Sequence, residues 1–303
     1  MLRCDLNRTF VLEGVDVRQQ AVTVLGLGPM GQAMANVFLA HGYEVTVWNR
    51  TPERADDLVA KGAIRAPTAG EAVRAGDLII LSLTDYAAAY AILEQAKGEL
   101  AGRTFVNLGS ATPAEARQAA NWLAALGAGH LTGGVLTPPS GIGTPGPVTL
   151  YSGPREVLDA HRATLELLTG IDYRGEDPGL AALYYQLEIS MFWTALLGYV
   201  HATAMARANG ISATEFAETA AKTFAGMTEF FEFYAPRIDA GDHSGDVDRL
   251  SMSAASIEHV VRTAEDSGVD ATLPTAMLEI VRRGIADGHA GDSFTSLIET
   301  FRR

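Results

Sequence analysis

The chain has 303 residues, 48% of them hydrophobic and 19% charged, with 31 Gly and 12 Pro. That composition excludes collagen-like, low-complexity and disordered chains, and the length suits two domains. A formal charge of −13 repels phosphate backbones and argues against nucleic-acid binding.

Residues 1–20 scatter Arg3, Asp5, Arg8, Glu13, Asp16 and Arg18 and contain no apolar stretch of signal-peptide type. They read as an N-terminal extension, not a secretory leader. The single cysteine, Cys4, permits neither an internal disulfide nor a cysteine-based zinc site. The expected location is cytoplasmic.

From residue 21 to about 175, short apolar runs alternate with helical patterns. Strands are predicted over 21–25, 44–48, 78–83 and 104–108. Between them, Thr51-Pro52 reads as N-cap then N1, and Thr68-x-x-Glu71 and Thr112-x-x-Glu115 as capping boxes. Strands separated by helices predict a parallel sheet covered on both faces. The first domain is therefore α/β, over 21–177.

After Asp177-Pro178 the strand signals stop, and the second domain, 178–303, is predicted to be all-α. Its first helix should run over 178–208, from the Asp177 cap to Asn209-Gly210. Later helices start at Ser212-x-x-Glu215, end near Ser267-Gly268, open near Pro274 and begin at Ser293. Residues 189–206 are apolar enough to suggest a membrane span. They contain Ser190, Thr194, His201 and Thr203, however, and no Lys/Arg cluster flanks them, so a covered helix of a soluble protein is expected. Glu188 is the only charge in the first helix before Arg207. A helix apolar nearly all round must be covered on every side, which predicts a subunit interface in an intertwined homodimer.

Gly26-Leu27-Gly28-Pro29-Met30-Gly31 fits G-x-G-x-x-G between a predicted strand and a predicted helix. In that setting Gly26 permits the tight turn, Gly28 admits a pyrophosphate and Gly31 allows close helix–sheet packing. The helix N-terminus presents free N–H groups to the phosphates. The second strand ends in Trp48-Asn49-Arg50-Thr51. No carboxylate is there to repel a 2′-phosphate; Arg50 can pair with one, Asn49 and Thr51 can donate hydrogen bonds, and Arg54 adds positive potential. NADPH is the expected cofactor. Leu81-Ser82-Leu83-Thr84, with Asn107 and Ser110, lie at strand ends, where the ligands of such sheets bind.

With these motifs in place, the chain resembles the β-hydroxyacid dehydrogenase superfamily, and within it the NADPH-dependent imine reductases. The resemblance spans residues 21 to 303. It is carried by 26–35 (GLGPMGQAMA), 48–51 (WNRT), 137–145 (TPPSGIGTP), 149–153 (TLYSG), 183–186 (LYYQ), 198–202 (GYVHA) and 288–292 (GHAGD). It implies a Rossmann domain, a long interdomain helix, a helical domain exchanged between two subunits, and an active site in the cleft between domains of different subunits. The implied reaction reduces the C=N bond of a small-molecule imine, typically cyclic, to an amine.

Hydroxyacid dehydrogenases of the superfamily are expected to place a lysine on the long helix. Here no lysine lies between Lys97 and Lys222. Carbonyl reduction requires a general acid at oxygen; an iminium ion already carries its proton and demands less. Tyr185 stands where the resemblance implies an acidic residue, usually Asp or Tyr, and is the catalytic candidate, orienting or protonating the substrate nitrogen. Ile189, Phe192 and Leu196 share its helix face at +4, +7 and +11, and with Trp193 they are the substrate-pocket candidates. The residues leave the roles of Glu188, His201, His289 and Asp292 open. Two alternatives remain: a hydroxyacid dehydrogenase with an unusual acid/base, and a non-catalytic NADPH sensor.

Overall fold

The computed structural model describes residues 21–302; the expected N-terminal extension, 1–20, lies outside the described residues. Eight strands form one sheet: β1 (Ala21–Leu25), β2 (Glu44–Trp48), β3 (Ile64–Arg65), β4 (Leu78–Leu81), β5 (Thr104–Asn107), β6 (Gly129–Val135), β7 (Val148–Ser152) and β8 (Gly170–Gly175). Their spatial order is β3-β2-β1-β4-β5-β6-β7-β8. Helices α1 (Pro29–Ala40), α2 (Asp56–Ala60), α3 (Ala69–Ala75), α4 (Tyr86–Leu93), α5 (Pro113–Ala125) and α6 (Arg155–Leu165) connect most of these strands.

Alternation along the strands builds two apolar layers, because successive side chains point to opposite faces. Val24, Ile80 and Val106 pack with Met34 and Phe38 of α1 and Leu158 of α6. Leu25, Ile79, Leu81 and Phe105 pack with Val73 of α3, Leu93 of α4 and Leu123 of α5 on the other face. Thr112 and Glu115 form the full reciprocal capping box at α5, whereas Thr68 accepts the Glu71 N–H at α3.

The expected all-parallel sheet needs one correction. β7 runs antiparallel to β6, and β8 is parallel to β7. The connection from β6 to β7 carries only the short 3₁₀ turn Pro139–Gly141, and parallel pairing requires a longer crossover. On the other side the chain winds outward from β1 to β2 and β3, then returns to β4 beside β1. That reversal opens a crevice at the carboxyl ends of β1 and β4, where ligands of doubly wound sheets bind.

The first compact unit ends at Ile189 and the second begins at Ser190, twelve residues beyond the boundary read at Asp177-Pro178. The reason is α7 (Gly179–Ala208), a 30-residue helix whose opening turns belong to the sheet unit. Asp177 accepts the Gly179 N–H at 2.9 Å and a bidentate pair from Arg117 at 2.8 and 2.7 Å. The Arg117 guanidinium, then the Gly179 N–H, hold the Asp177 carboxyl below the usual carboxylate range. This fastens the start of α7 to α5.

The second unit continues with α8 (Ala213–Asp239), capped by Ser212, then α9 (Leu250–Asp266), α10 (Thr272–Gly284) and α11 (Leu297–Phe301). Gly210 and Gly268, at φ +83° and +67°, end α7 and α9 as the sequence predicts. Leu250, Val281 and Leu297 form its small buried core.

Candidate active site

The turn after β1 is built by steric necessity. Gly26 adopts φ +96°, and a Cβ there would lie 2.2 Å from the Ser82 carbonyl oxygen. A Cβ on Gly31 would lie 1.9 Å from the Gly26 carbonyl oxygen. Gly28, by contrast, faces open space, with nothing within 4 Å of the position its Cβ would take. Two glycines therefore close the turn and the third leaves room for a ligand above the α1 N-terminus. No side chain caps that terminus, and Pro29 occupies its first turn. The result is a cradle of the size and polarity that a pyrophosphate requires.

Several side chains expected to meet the cofactor shape this loop instead. Asn49 accepts the Leu27 N–H at 3.0 Å and donates to the Thr51 carbonyl at 2.9 Å. Its amide thus ties the β1 and β2 loops together. Leu27 and Leu81 are buried in the core, so only their backbones can border a ligand. Thr51 is the N-cap of the 3₁₀ turn Pro52–Ala55, but its side chain makes no capping bond. Arg50 and Arg54 are exposed beside it, placed to meet a 2′-phosphate.

Asn107, almost fully buried, accepts the Gly109 N–H at 2.9 Å and folds the loop that carries Ser110. At the end of β4, Ser82 donates its N–H to the Leu25 carbonyl. Leu83 is half-buried and Thr84 exposed, next to Asp85, which caps α4 through the Ala88 N–H at 2.8 Å.

These loops border a cleft of about 260 Å³ whose lining includes Met30, Ser110, Thr132, Gly134, Pro138 and Tyr185. Tyr185 projects from the second turn of α7. Gly134 makes this possible, since a Cβ there would stand 2.9 Å from the Tyr185 Cβ. On the opposite face of β6, Gly133 gives way to Leu108 and Tyr151 in the same manner. The neighbouring Gln186 donates to the Ala111 carbonyl at 2.9 Å and to the Ser110 hydroxyl at 3.3 Å. Helix and loop are thus fastened together at the cleft wall.

None of the expected pocket residues lines this cleft within the single chain. Ile189 does not line the cleft. Phe192, Trp193 and Leu196 belong to the second unit, where Phe192 and Leu196 border an apolar groove with Tyr199, Ala220 and Phe224. Phe192 and Trp193 meet edge to face at 5.2 Å. His201 contacts the Asp270 carbonyl at 2.9 Å, and His289 pairs with Asp292 at 2.7 Å. Both belong to the internal packing of the helical unit. Glu188 is exposed. Sequence reasoning missed Gln186, Thr132 and the Gly133-Gly134 pair. A double glycine inside a strand is a signal of close backbone or side-chain approach.

A doubly wound sheet with a glycine cradle, a basic corner at the end of β2 and a cleft lined by Tyr185 defines a dinucleotide-dependent oxidoreductase. Residues 21–173 match the NAD binding domain of 6-phosphogluconate dehydrogenase, and residues 177–303 match the NADPH-dependent reductive aminase-like C-terminal domain. The chain is 33% identical to an NADPH-dependent reductive aminase of Aspergillus oryzae, over 93% of this chain and 97% of that protein. An imine reductase from Bacillus cereus is 59% identical with a TM-score of 0.87, covering 93% of this chain and 99% of that one. A reductive aminase from Aspergillus terreus, solved with NADPH and ethyl levulinate, is 36% identical with a TM-score of 0.89, covering 94% and 100%. The chain belongs to the family of NADPH-dependent imine reductases and reductive aminases.

Proposed function

We propose that this chain reduces C=N bonds of small imines or iminium ions to amines with NADPH, using Tyr185 to orient or protonate the substrate nitrogen. The observation that carries this reading is Tyr185 itself. It is the ionisable side chain among the cleft-lining residues, on a helix that carries no lysine. Bound NADPH supplies a hydride from its nicotinamide ring. The chain's part is to hold the cofactor on the Gly28 cradle and the Arg50 corner, and to keep water from the reacting carbon with Met30, Val135 and Pro138. Tyr185 then offers a phenolic O–H to the nitrogen. A neutral phenol has a proton to donate and suits donation better than abstraction.

The test is NADPH against NADH oxidation with 1-pyrroline-type imines and ketone–amine pairs, and NADP+ reduction with 3-hydroxy acids, with chiral analysis of the amine product. Turnover of 3-hydroxy acids without imines would establish the dehydrogenase alternative, and tight NADPH binding without any turnover the sensor. Tyr185→Phe is expected to lower kcat on a cyclic imine by roughly 10²-fold, the lower end for loss of a positioned acid. Unchanged turnover would remove Tyr185 from the mechanism.

The working form is proposed to be a homodimer in the cytoplasm. Support comes from the second half of α7, where Met191, Trp193, Leu197 and Val200 are each more than half exposed in the single chain. Only 6% of the most apolar 18-residue window is buried. Leaving such a surface in water is unfavourable at about 25 cal/mol per Å², and a second copy of the same helix pair would cover it. Light scattering on the purified protein checks this, and a monomer at micromolar concentration would end the idea.

A further inference from the structure

Gln186 follows Tyr185 on α7, and its amide is committed in two directions. The Ala111 carbonyl can only accept, so the group that faces it at 2.9 Å is the Gln186 Nε2. The same nitrogen donates to the Ser110 hydroxyl at 3.3 Å. Both protons of the amide thus go to one short stretch of loop, and Ser110 and Ala111 are themselves walls of the cleft.

Both ends of that stretch are fixed by other means. Asn107 accepts the Gly109 N–H at 2.9 Å, and a Cβ on Gly109 would stand 2.6 Å from the Leu83 carbonyl oxygen. At the other end Thr112 caps α5 in its reciprocal box with Glu115. Between these points the Ser110 side chain is exposed, and the Gln186 amide is its partner. The helix side is braced as well. Ser152, fully buried in β7, accepts the Ala181 N–H and donates to the Pro178 carbonyl, each at 2.9 Å. The Arg174 guanidinium of β8 lies 4.3 Å from the centre of the Tyr184 ring. Gln186 therefore reaches from a braced helical turn to a hydroxyl that other side chains leave loose.

A serine hydroxyl carries one proton and two lone pairs. Gln186 occupies a lone pair, and among the described residues the Ser110 proton goes to no acceptor. The hydroxyl is thereby presented to the cleft as a donor. The sheet order tells which part of a ligand it meets. Arg50 follows β2, the glycine turn follows β1, and Ser110 follows β5, with β4 between β1 and β5. A dinucleotide with its 2′-phosphate at Arg50 and its pyrophosphate at Gly28 extends its nicotinamide half toward β5. We propose that Gln186 is a positioning residue that acts through Ser110, holding that hydroxyl as a hydrogen-bond donor to a hydroxyl or carboxamide oxygen in the nicotinamide half of NADPH. The role rests on NADPH as the cofactor and not on the choice of substrate.

A crystal structure of the NADPH-bound protein tests it first. The Ser110 Oγ is expected about 2.5–3.0 Å from an oxygen of the nicotinamide half, with Gln186 still on the Ala111 carbonyl. Ser110 turned away from the cofactor, or Gln186 released from the loop, would overturn the proposal. Fluorescence titration of NADPH into Gln186→Met, Ser110→Ala and the double variant tests the coupling. Each single change is expected to raise Kd roughly 3- to 10-fold, the contribution of one neutral hydrogen bond. The double variant should bind no worse than the weaker single, because Gln186 works through Ser110. A double variant whose loss is the product of the two would show independent roles and refute the proposal, as would an unchanged Kd for Gln186→Met. Should Gln186→Met not fold, Gln186→Leu takes its place in the same cycle. Wild-type protein that binds NADPH but turns over no imine refutes the C=N reading and leaves these results standing.

Discussion

The turn at Gly26–Gly31 and the second half of α7 are opposite kinds of structure. In the turn, Gly26 and Gly31 are hemmed in by backbone at 2.2 and 1.9 Å, the first by Ser82 at the end of β4 and the second by Gly26 itself, so residue type follows from sterics within the sheet unit. Along α7, Trp193 at 60% and Val200 at 56% exposure have apolar side chains that the single chain leaves uncovered. The first region is explained by sterics within the chain, and for the second the proposed partner copy is the explanation. The same residue-level observation, free space around a side chain, thus has different meanings. At Gly28 it fits the proposed cofactor cradle; on α7 it fits the proposed partner copy.

The sharpest way to break this contrast lies within the glycine motif. Gly31→Ala is expected to disrupt the turn and abolish NADPH binding, with more than 10²-fold loss in a fluorescence titration. Gly28→Ala is expected to fold normally, because its φ of −68° is ordinary and no atom stands near, and to weaken NADPH alone. Equal damage from both would show that space around a glycine does not separate fold from ligand here. On α7, Leu197→Arg is expected to weaken self-association roughly 10²-fold in analytical ultracentrifugation, while the sheet unit keeps its NADPH affinity.

Burial of His130 on β6 gives a smaller effect. His130 is neutral in the fold down to about pH 4, whereas an unfolded histidine titrates near 6.5. The unfolded state therefore binds more protons between those values, so stability is complete above pH 6.5 and falls as pH drops toward 4. No charged group faces the ring; Tyr86, Tyr90, Ala119 and Trp122 do. By pH 5 the loss from this residue is about 2 kcal/mol. In denaturant titrations at pH 7 and 5, His130→Gln should shrink the difference by that amount. An unchanged slope would mean that His130 is charged or hydrated in the fold. Smallest is Arg50→Ala, expected to raise the NADPH Kd about 10-fold, or ~1.4 kcal/mol, without altering that for NADH.

Legibility followed the range of the forces involved. β1 and β2 were readable because Ala21–Leu25 and Glu44–Trp48 are β-branched runs with flanking turns. β6, Gly129–Val135, was not, because it contains three glycines and a histidine. Its neighbours make it a strand, pairing it with β5 and β7. Tyr185 was singled out by the family resemblance, and it lines the cleft. Ile189, Phe192 and Leu196 were grouped with it by helix periodicity alone, which identifies a shared face without saying what that face meets. Asn49 and Asn107 were read as cofactor ligands because polar residues at strand ends often are. The structure shows the Asn49 amide tying the β1 and β2 loops together and the Asn107 amide folding its own loop onto Gly109, uses that depend on which backbone groups arrive beside them.

By itself the sequence determined the two-part architecture, the glycine turn, the basic pair at the end of β2 and the want of a lysine on the long helix. Each of these depends on residue type within a few positions along the chain. Only the tertiary structure decided that β7 runs backward, that Gly134 yields its space to Tyr185, that Gln186 fastens α7 to the Ser110 loop and that a histidine sits sealed behind the cleft. Those outcomes turn on which distant segments occupy the same volume, and close packing settles that only when the whole sheet unit is assembled.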